Sequence, residues 1–362
     1  MREQTAERRR LAAAVLGERA APAPAEPAAA IVRGTVLDAT PHLLVLATAT
    51  GEVRLLFEAA TTFWCGRETG ASAVRAGDDV VVRCRPGGWV AERVWVRIAR
   101  ATGVIAARSG DTLEIDAGHA LPRREVVVPY RYSGRLGVRH PVLEPGYLFD
   151  AVGVWEDSAF HATLPVTTQP PYPVWDAPPR PPARRRRAEE RAGGVRLSGT
   201  VAWYDPAHDG AAVGGGGAGG VGGGGGEVGD GGDGRGAAAV DGAGRAAAGP
   251  PNGPDPRGDL RGAAYPALDP ASGHGGCDRA ESCLHLPLMS IGTTFTLRND
   301  CTGGVAALPV VACGSAAAHF CDRCTACDSD AQGRLAHLTL MSFLALGGRP
   351  ETGCFNATMV VG

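Results

Sequence analysis

The chain has no lysine: every one of its 36 Lys-plus-Arg positions is arginine. Alanine, glycine and proline are abundant alongside it, so GC-rich coding explains the bias better than arginine-specific recognition. The arginines are offset by 38 acidic residues, a net charge of −2, and that balance argues against a nucleic-acid or anionic-membrane partner. Aromatic residues make up only 6% of the sequence. No run of 18 apolar residues occurs, so no transmembrane helix is expected. The glycine runs near 213–226 lack the Lys-Ser/Thr of a phosphate loop and do not lie between a strand and a helix. A His-Glu-x-x-His pair and a Gly-x-Ser-x-Gly elbow are also missing, and no cofactor is implied.

Cysteine and glycine are what the chain has, both unevenly placed. Cys277, Cys283, Cys301, Cys313, Cys321, Cys324, Cys327 and Cys354 crowd the last 86 residues. Such density reads as a disulfide framework formed in an oxidising compartment, for a secreted or cell-wall-associated protein. The spacing Cys321-x2-Cys324-x2-Cys327 also suits thiolate metal ligation, with Cys313 or Cys301 as a fourth ligand. Disulfides account for all eight cysteines at once, so no metal is expected. Cys65 and Cys84 form either a separate bridge or two buried thiols. At the N-terminus, Arg8-Arg9-Arg10 and the apolar Leu11–Gly17 are cut short by Glu18 and Arg19. This reads as a tail, with no clear signal peptide.

Composition divides the rest. Residues 1–30 lack an apolar period and are expected to be disordered. Residues 31–168 alternate apolar and polar positions in short runs, as in Ile31–Val36, Leu43–Leu46, Val53–Phe57 and Val80–Cys84, which predicts strands. A repeat runs through them. Gly34-Thr-Val36 recurs as Gly103-Val-Ile105, Gly77–Val80 as Gly146–Phe149, and Gly66 as Gly134, with offsets of 69, 69 and 68. Two tandem small β-barrel modules, 31–99 and 100–168, are predicted in the OB or SH3 size range. Residues 169–194 are a Pro/Arg-rich linker, stiffened by Pro-Pro pairs and carrying Arg184–Arg187. Residues 195–362 form the last domain, interrupted by a disordered glycine-rich insertion over 211–276. Within this domain Val195–Tyr204, Gly292–Asn299, Val305–Val311 and Asn356–Val361 read as strands. Ala318–Cys321 leads into another, and Leu335–Leu346 reads as a short helix.

The last domain resembles the double-psi β-barrel of rare lipoprotein A-like and expansin-like proteins. Gly199-Thr-Val-Ala-Trp-Tyr204 is similar to that family's opening Gly-x-Ala-x-Trp/Tyr-Tyr strand. His285, with the Leu-Pro and Ile291-Gly-Thr-Thr-Phe-Thr-Leu that follow it, resembles its Ala-His-x-x-Leu-Pro-x-Gly-Thr segment. Cys321-Asp-Arg-Cys-Thr-Ala-Cys327 is similar to its Asp-Arg-Cys-x-x-Cys turn, and Leu335–Gly347 to its Asp-Leu-Ser helix. The match covers residues 195–210 and 277–362 and implies a mainly β chain ending in a disulfide-framed, six-stranded double-psi barrel.

The resemblance also implies a site. Asp322 would be the acid/base aspartate, His285 would line the groove beside it, and Trp203, Tyr204, Arg323 and His337 would contact substrate. Glycan cleavage needs an acid at the glycosidic oxygen and a second group supporting the oxocarbenium-like centre. His337 stands where the family has a carboxylate, and near neutral pH an imidazole is largely uncharged. The expected activity is therefore expansin-like binding or loosening of wall polysaccharide without net hydrolysis. A peptidoglycan lytic transglycosylase using Asp322 is the first alternative. A structural adhesion or scaffold protein with a non-functional groove is the second. Nothing in the sequence indicates oligomeric state.

Overall fold

A computed structural model of the chain describes residues 30–118, 122–156, 159–166, 173–174, 194–209, 259–270, 282–321, 323–324 and 331–362. The described part is mainly β, in three successive sheets. The first is built from β1 (Ile31–Ala39), β2 (Leu43–Thr48), β3 (Gly51–Leu56), β4 (Thr62–Trp64), β5 (Glu68–Thr69), β6 (Asp79–Cys84) and β7 (Ala91–Val96), in the order β3-β2-β1-β6-β7-β4-β5. Its alternating sequence turns Val36, Leu44, Leu46, Leu55, Val80, Val82 and Val94 into one core.

The second sheet is a closed barrel, β10-β12-β11-β8-β9, made of β8 (Ile98–Ser109), β9 (Thr112–Asp116), β10 (Arg124–Val127), β11 (Leu148–Glu156) and β12 (Ala159–Pro165). A helix, Tyr130–Arg139, connects β10 to β11. The first strand pairs with the second and fourth, and the third runs parallel to the fifth. This is the five-stranded Greek-key path of an OB barrel. The first sheet follows the same path but does not close into a continuous barrel. Its edge strand β3 meets the β7 end only through an isolated parallel bridge, Leu56 to Val90.

Two of the three repeat signals mark equivalent positions in the two units. Gly34 and Gly103 each sit where a Cβ would run into a neighbouring-strand carbonyl, of Ala47 and Asp116 respectively. Gly77 and Gly146 both have φ near +90° and donate to Val36 and Ile105 at 2.8 Å, at the turn into the fourth long strand. Gly66 and Gly134 do not correspond: Gly66 lies in a turn after β4, and Gly134 lies in the helix.

The third sheet is a closed six-stranded barrel, β13-β17-β14-β16-β15-β18. Its strands are β13 (Val195–Tyr204), β14 (Ala263–Tyr265), β15 (Thr294–Asn299), β16 (Val305–Cys313), β17 (Arg334–Thr339) and β18 (Cys354–Val361). Two of its pairings, β13 with β17 and β14 with β16, are parallel. Disulfides Cys283–Cys321 and Cys324–Cys354 frame it, and Cys301 and Cys313 are also disulfide-bonded. Cys65 and Cys84 are free thiols, and burial pushes the Cys84 pKa up to about 11.

Three expectations need correction here. Ala263–Tyr265, assigned to the disordered insertion, is a fully buried barrel strand; most of residues 211–276 lies outside the described residues. Leu335–Leu346 is not one helix: Arg334–Thr339 is a strand buried at every position, and only Leu340–Ala345 is helical. A strand covered on both faces loses its alternation and looks like a helix segment by pattern. Ala318–Cys321 is not the start of a strand, because Ser315–Ala318 is a helical turn capped at His319. The Arg184–Arg187 run also lies outside the described residues.

The three units share one core. Trp64, Val81 and Trp95 of the first, Ile98, Val152, Val154 and Val166 of the second, and Trp203, Leu338, Phe343 and Phe355 of the third belong to a single buried cluster. Replacing Gly34 or Gly103 by alanine is expected to lower stability by about 1–3 kcal/mol each, since backbone must move to admit the methyl group. Urea unfolding of G103A beside G110A, whose added Cβ meets open space but carries a positive-φ cost, measures it; equal losses would remove the crowding argument.

Candidate functional site

One edge of the third barrel presents two of the expected groups to solvent. His285 follows Cys283 by two residues, Arg323 follows Cys321 by two, and both side chains are exposed. The Cys283–Cys321 disulfide holds these two segments together, with Cα atoms 5.3 Å apart. Leu284 anchors the first segment by packing over Gly199 and Gly333, where an added Cβ would strike its side chain. The second is fixed by Cys324–Cys354 and by Asn356 Nδ2 donating to the Cys324 carbonyl at 3.2 Å. Asp322 lies between Cys321 and Arg323 but outside the described residues.

The other three expected residues are inside the molecule. Trp203 has no exposed surface, and its Nε1 donates to the Pro350 carbonyl at 2.9 Å. Tyr204 is buried among Ala264 and Ala312. His337 is buried, and its Nε2 accepts from Arg334 Nη1 at 2.6 Å. An open groove lined by Trp203, Tyr204 and His337 is therefore not formed. For Trp203 and His337 the physical reason is the neighbouring second barrel, which supplies Arg100 and Asp150 to the side of the third barrel carrying β13 and β17; Tyr204 is covered by the third barrel's own β14 and β16.

There the structure builds an ionic cluster that the sequence reading missed. Asp150 is fully buried. Arg100 engages it through Nε at 2.8 Å and Nη2 at 2.6 Å, and Arg334 Nη2 at 2.9 Å. Arg100 Nη1 donates to the Gly353 carbonyl at 2.5 Å and its guanidinium faces the Trp203 ring. Arg334 also lies over the Phe320 ring, 3.9 Å from its centroid. Burial alone would raise the Asp150 pKa, but the two guanidiniums outweigh it and hold the carboxyl well below the usual range. Burial first, then the charges of Arg334 and Arg100, push His337 well below its ordinary value, so it is neutral. His140 is likewise lowered by burial; its Nε2 donates to the Asp150 carbonyl at 3.1 Å, while its Nδ1 has no hydrogen-bond partner among the described residues.

Two more junction contacts complete the join. Arg33 of β1 bridges Asp205 at 2.8 Å and Asp79 at 3.1 Å. Glu351 accepts from Trp95 Nε1 at 2.6 Å and pairs with Arg93 at 2.9 Å and Arg349 at 2.8 Å. A sequence signal for this existed: Asp150 interrupts the apolar run Leu148-Phe149-Asp150-Ala151-Val152, and a charge in a buried strand requires a partner. Among the described residues no group of three or more His, Cys, Asp or Glu could hold a metal ion. The sequence matches no family model and no curated protein.

Asp150→Asn is expected to destabilise the chain by about 3–5 kcal/mol, because it strands two buried guanidiniums. A double-mutant cycle with Arg334→Met reads the coupling; additive losses would show that the two residues do not act as a pair. The histidines set a separate pH dependence. Their folded pKa values lie below the ordinary 6.5, so the unfolded chain takes up protons first as pH falls. Their contribution is whole above about pH 6.5 and is lost as pH drops from there toward the folded values. Asp150 adds nothing to this slope until pH approaches its ordinary 3.8. The Tm should fall between pH 7.5 and 5, and the H140Q/H337Q variant should reduce that slope, with His319, also lowered by burial, supplying the remainder; an unchanged slope would remove the assignment.

Proposed function

We propose that this is a secreted or wall-associated protein that binds wall polysaccharide through the edge of its third barrel, in the manner of expansin-like proteins, without net hydrolysis. The observation that carries the reading is the Cys283–Cys321 disulfide, which joins the two segments bearing the exposed His285 and Arg323. The closed six-stranded barrel with its two parallel pairs supports the likeness to double-psi barrels. Disulfides are compatible with an extracellular setting, and no helix among the described residues is long and apolar enough to cross a membrane.

Binding is favoured over cutting by the state of His337. Cleavage needs a second group to stabilise developing positive charge at the anomeric centre. At this position the side chain is neutral, buried and occupied by Arg334. A side chain buried in the junction between barrels is out of reach of a sugar bound at the exposed edge.

Purified peptidoglycan and cellulose, each incubated with the full chain, test the proposal. Pelleting with at least one polymer and no soluble sugar product is expected, with binding weakened by His285→Ala and Arg323→Ala. Release of anhydro-muropeptides that disappears in Asp322→Asn would replace it with lytic transglycosylase activity. No binding and no products would leave a structural or adhesive role.

A further inference from the structure

The helix Tyr130–Arg139 of the second barrel turns one side inward. Leu136 is fully buried there, and Tyr132 packs against the barrel core. The helix carries no acidic residue. Arg131 and Arg135, one turn apart, are exposed, and half-buried Arg139 continues their stripe. Beside it runs a second stripe, Tyr130, Gly134 and Val138, with the same spacing. Tyr130 is 89% exposed and Val138 80%, the two most exposed large hydrophobic side chains among the described residues. Gly134 leaves a notch between them. Glycine disfavours a helix interior, and nothing in the fold requires it here, since an added Cβ would meet open space.

The arginines of this helix are not neutralised. Arg131 lies over the Tyr132 ring, 4.9 Å from its centroid, and Arg139 Nη1 donates to the Val166 carbonyl at 2.8 Å. Among the described residues no carboxylate pairs with Arg131, Arg135 or Arg139, whereas exposed Arg54, Arg85 and Arg123 pair with Glu52, Glu58 and Glu114. The neighbouring acids flank the helix: Glu125 precedes it, Glu144 follows it, and Asp111 adjoins its start, where Val128 N donates to the Asp111 carbonyl at 2.7 Å.

The two stripes together select the occupant. Unpaired cations on a helix without acids call for a negatively charged partner. A polyanionic chain would engage the arginines and leave Tyr130 and Val138 in water. A membrane would need the apolar side of the helix, which is packed on the barrel. A second copy docking through the same face would set arginine against arginine. An acidic polypeptide with apolar side chains meets both stripes, and Tyr and Arg are the residues that carry most energy at protein interfaces.

We propose that the outer face of this helix is a docking surface for an acidic protein segment. Its carboxylates pair with Arg131 and Arg135, and an apolar side chain enters the notch at Gly134 between Tyr130 and Val138. The surface shares no residue with the third-barrel edge.

Two synthetic peptides of equal length and charge test this by fluorescence anisotropy with the full chain. One combines glutamate with leucine at helical spacing, and the other has serine in place of leucine. The Glu/Leu peptide is expected to bind, about tenfold or more tightly than the Glu/Ser peptide. Arg131→Gln/Arg135→Gln and Gly134→Leu, which fills the notch, should each weaken it about tenfold or more, and His285→Ala/Arg323→Ala should not. All the replaced helix positions are exposed, and Gly134→Leu should raise the Tm in a circular-dichroism melt, so lost binding would not reflect unfolding. No binding of the Glu/Leu peptide, or unchanged affinity in either helix variant, would overturn the proposal. Equal binding of the two peptides, or tighter binding of heparin, would make the face a plain polyanion site instead. Capture by phosphatidylglycerol vesicles that Val138→Ser abolishes, without peptide binding, would make it a lipid contact. Loss of peptide binding in His285→Ala/Arg323→Ala would move the contact to the third barrel and sink the proposal.

Discussion

The buried carboxylate of Asp150 is the contact on which the arrangement of the second and third barrels depends. It sits on β11 of the second barrel and holds one arginine from its own barrel and one from the third. A carboxylate with no exposed surface is tolerable only when its lone pairs are engaged and its charge is met. Here both oxygens are occupied, with Thr102 Oγ1 adding a further bond at 3.1 Å. Sliding the third barrel away would take Arg334 from Asp150 and leave its charge met by Arg100 of its own barrel only. Ion pairs of this kind contribute less to stability than equivalent apolar packing, but they penalise every misplaced register. The apolar core shared by all three units supplies the adhesion; the charges fix the geometry.

That geometry explains why the third barrel differs from what its motifs imply. An isolated barrel of this kind would leave its β13–β17 side open, with Trp203 and His337 near the surface. Here the turn Arg349–Cys354 is drawn into the junction. Its carbonyls at Pro350 and Gly353 accept from Trp203 and Arg100, and its Glu351 reaches Trp95. Gly353 has φ +77° and lies against Val166, so no larger residue fits between the barrels there. A histidine rather than a carboxylate at position 337 suits this burial: a second acid beside Asp150 would bring two negative charges into one dry pocket, whereas a neutral imidazole offers Arg334 an acceptor without adding charge.

Legibility followed the physics of each element. The alternating strands of the first 170 residues declared themselves because one face of each meets a small core. The offset of 69 between Gly34 and Gly103 was readable because close backbone approach admits only glycine at both. The density of cysteines gave the disulfide frame, though not its pairing. What stayed hidden were elements whose surroundings come from elsewhere in the chain. β14 is three residues long and follows low-complexity sequence. β17 is covered on both faces and so shows no period of two. Trp203 resembles a sugar platform in a strand motif, yet its ring is claimed by Arg100 and a carbonyl from a distant turn.

The shared core also decides what the junction charges can do. Trp64 and Trp95 of the first unit, Val152 and Val154 of the second, and Trp203 and Phe355 of the third pack into one apolar cluster, so adhesion between the units does not wait on any ion pair. The charges act on top of it. Arg33 ties the first unit to the third through Asp205, and Glu351 ties them again through Trp95 and Arg93. Asp150 ties the second to the third through Arg334. The third unit is thus held to each of its neighbours by a buried charge, and removing one partner strands the other in a dry junction, whereas replacing both by apolar groups leaves the packing in place and gives up only the register they specify.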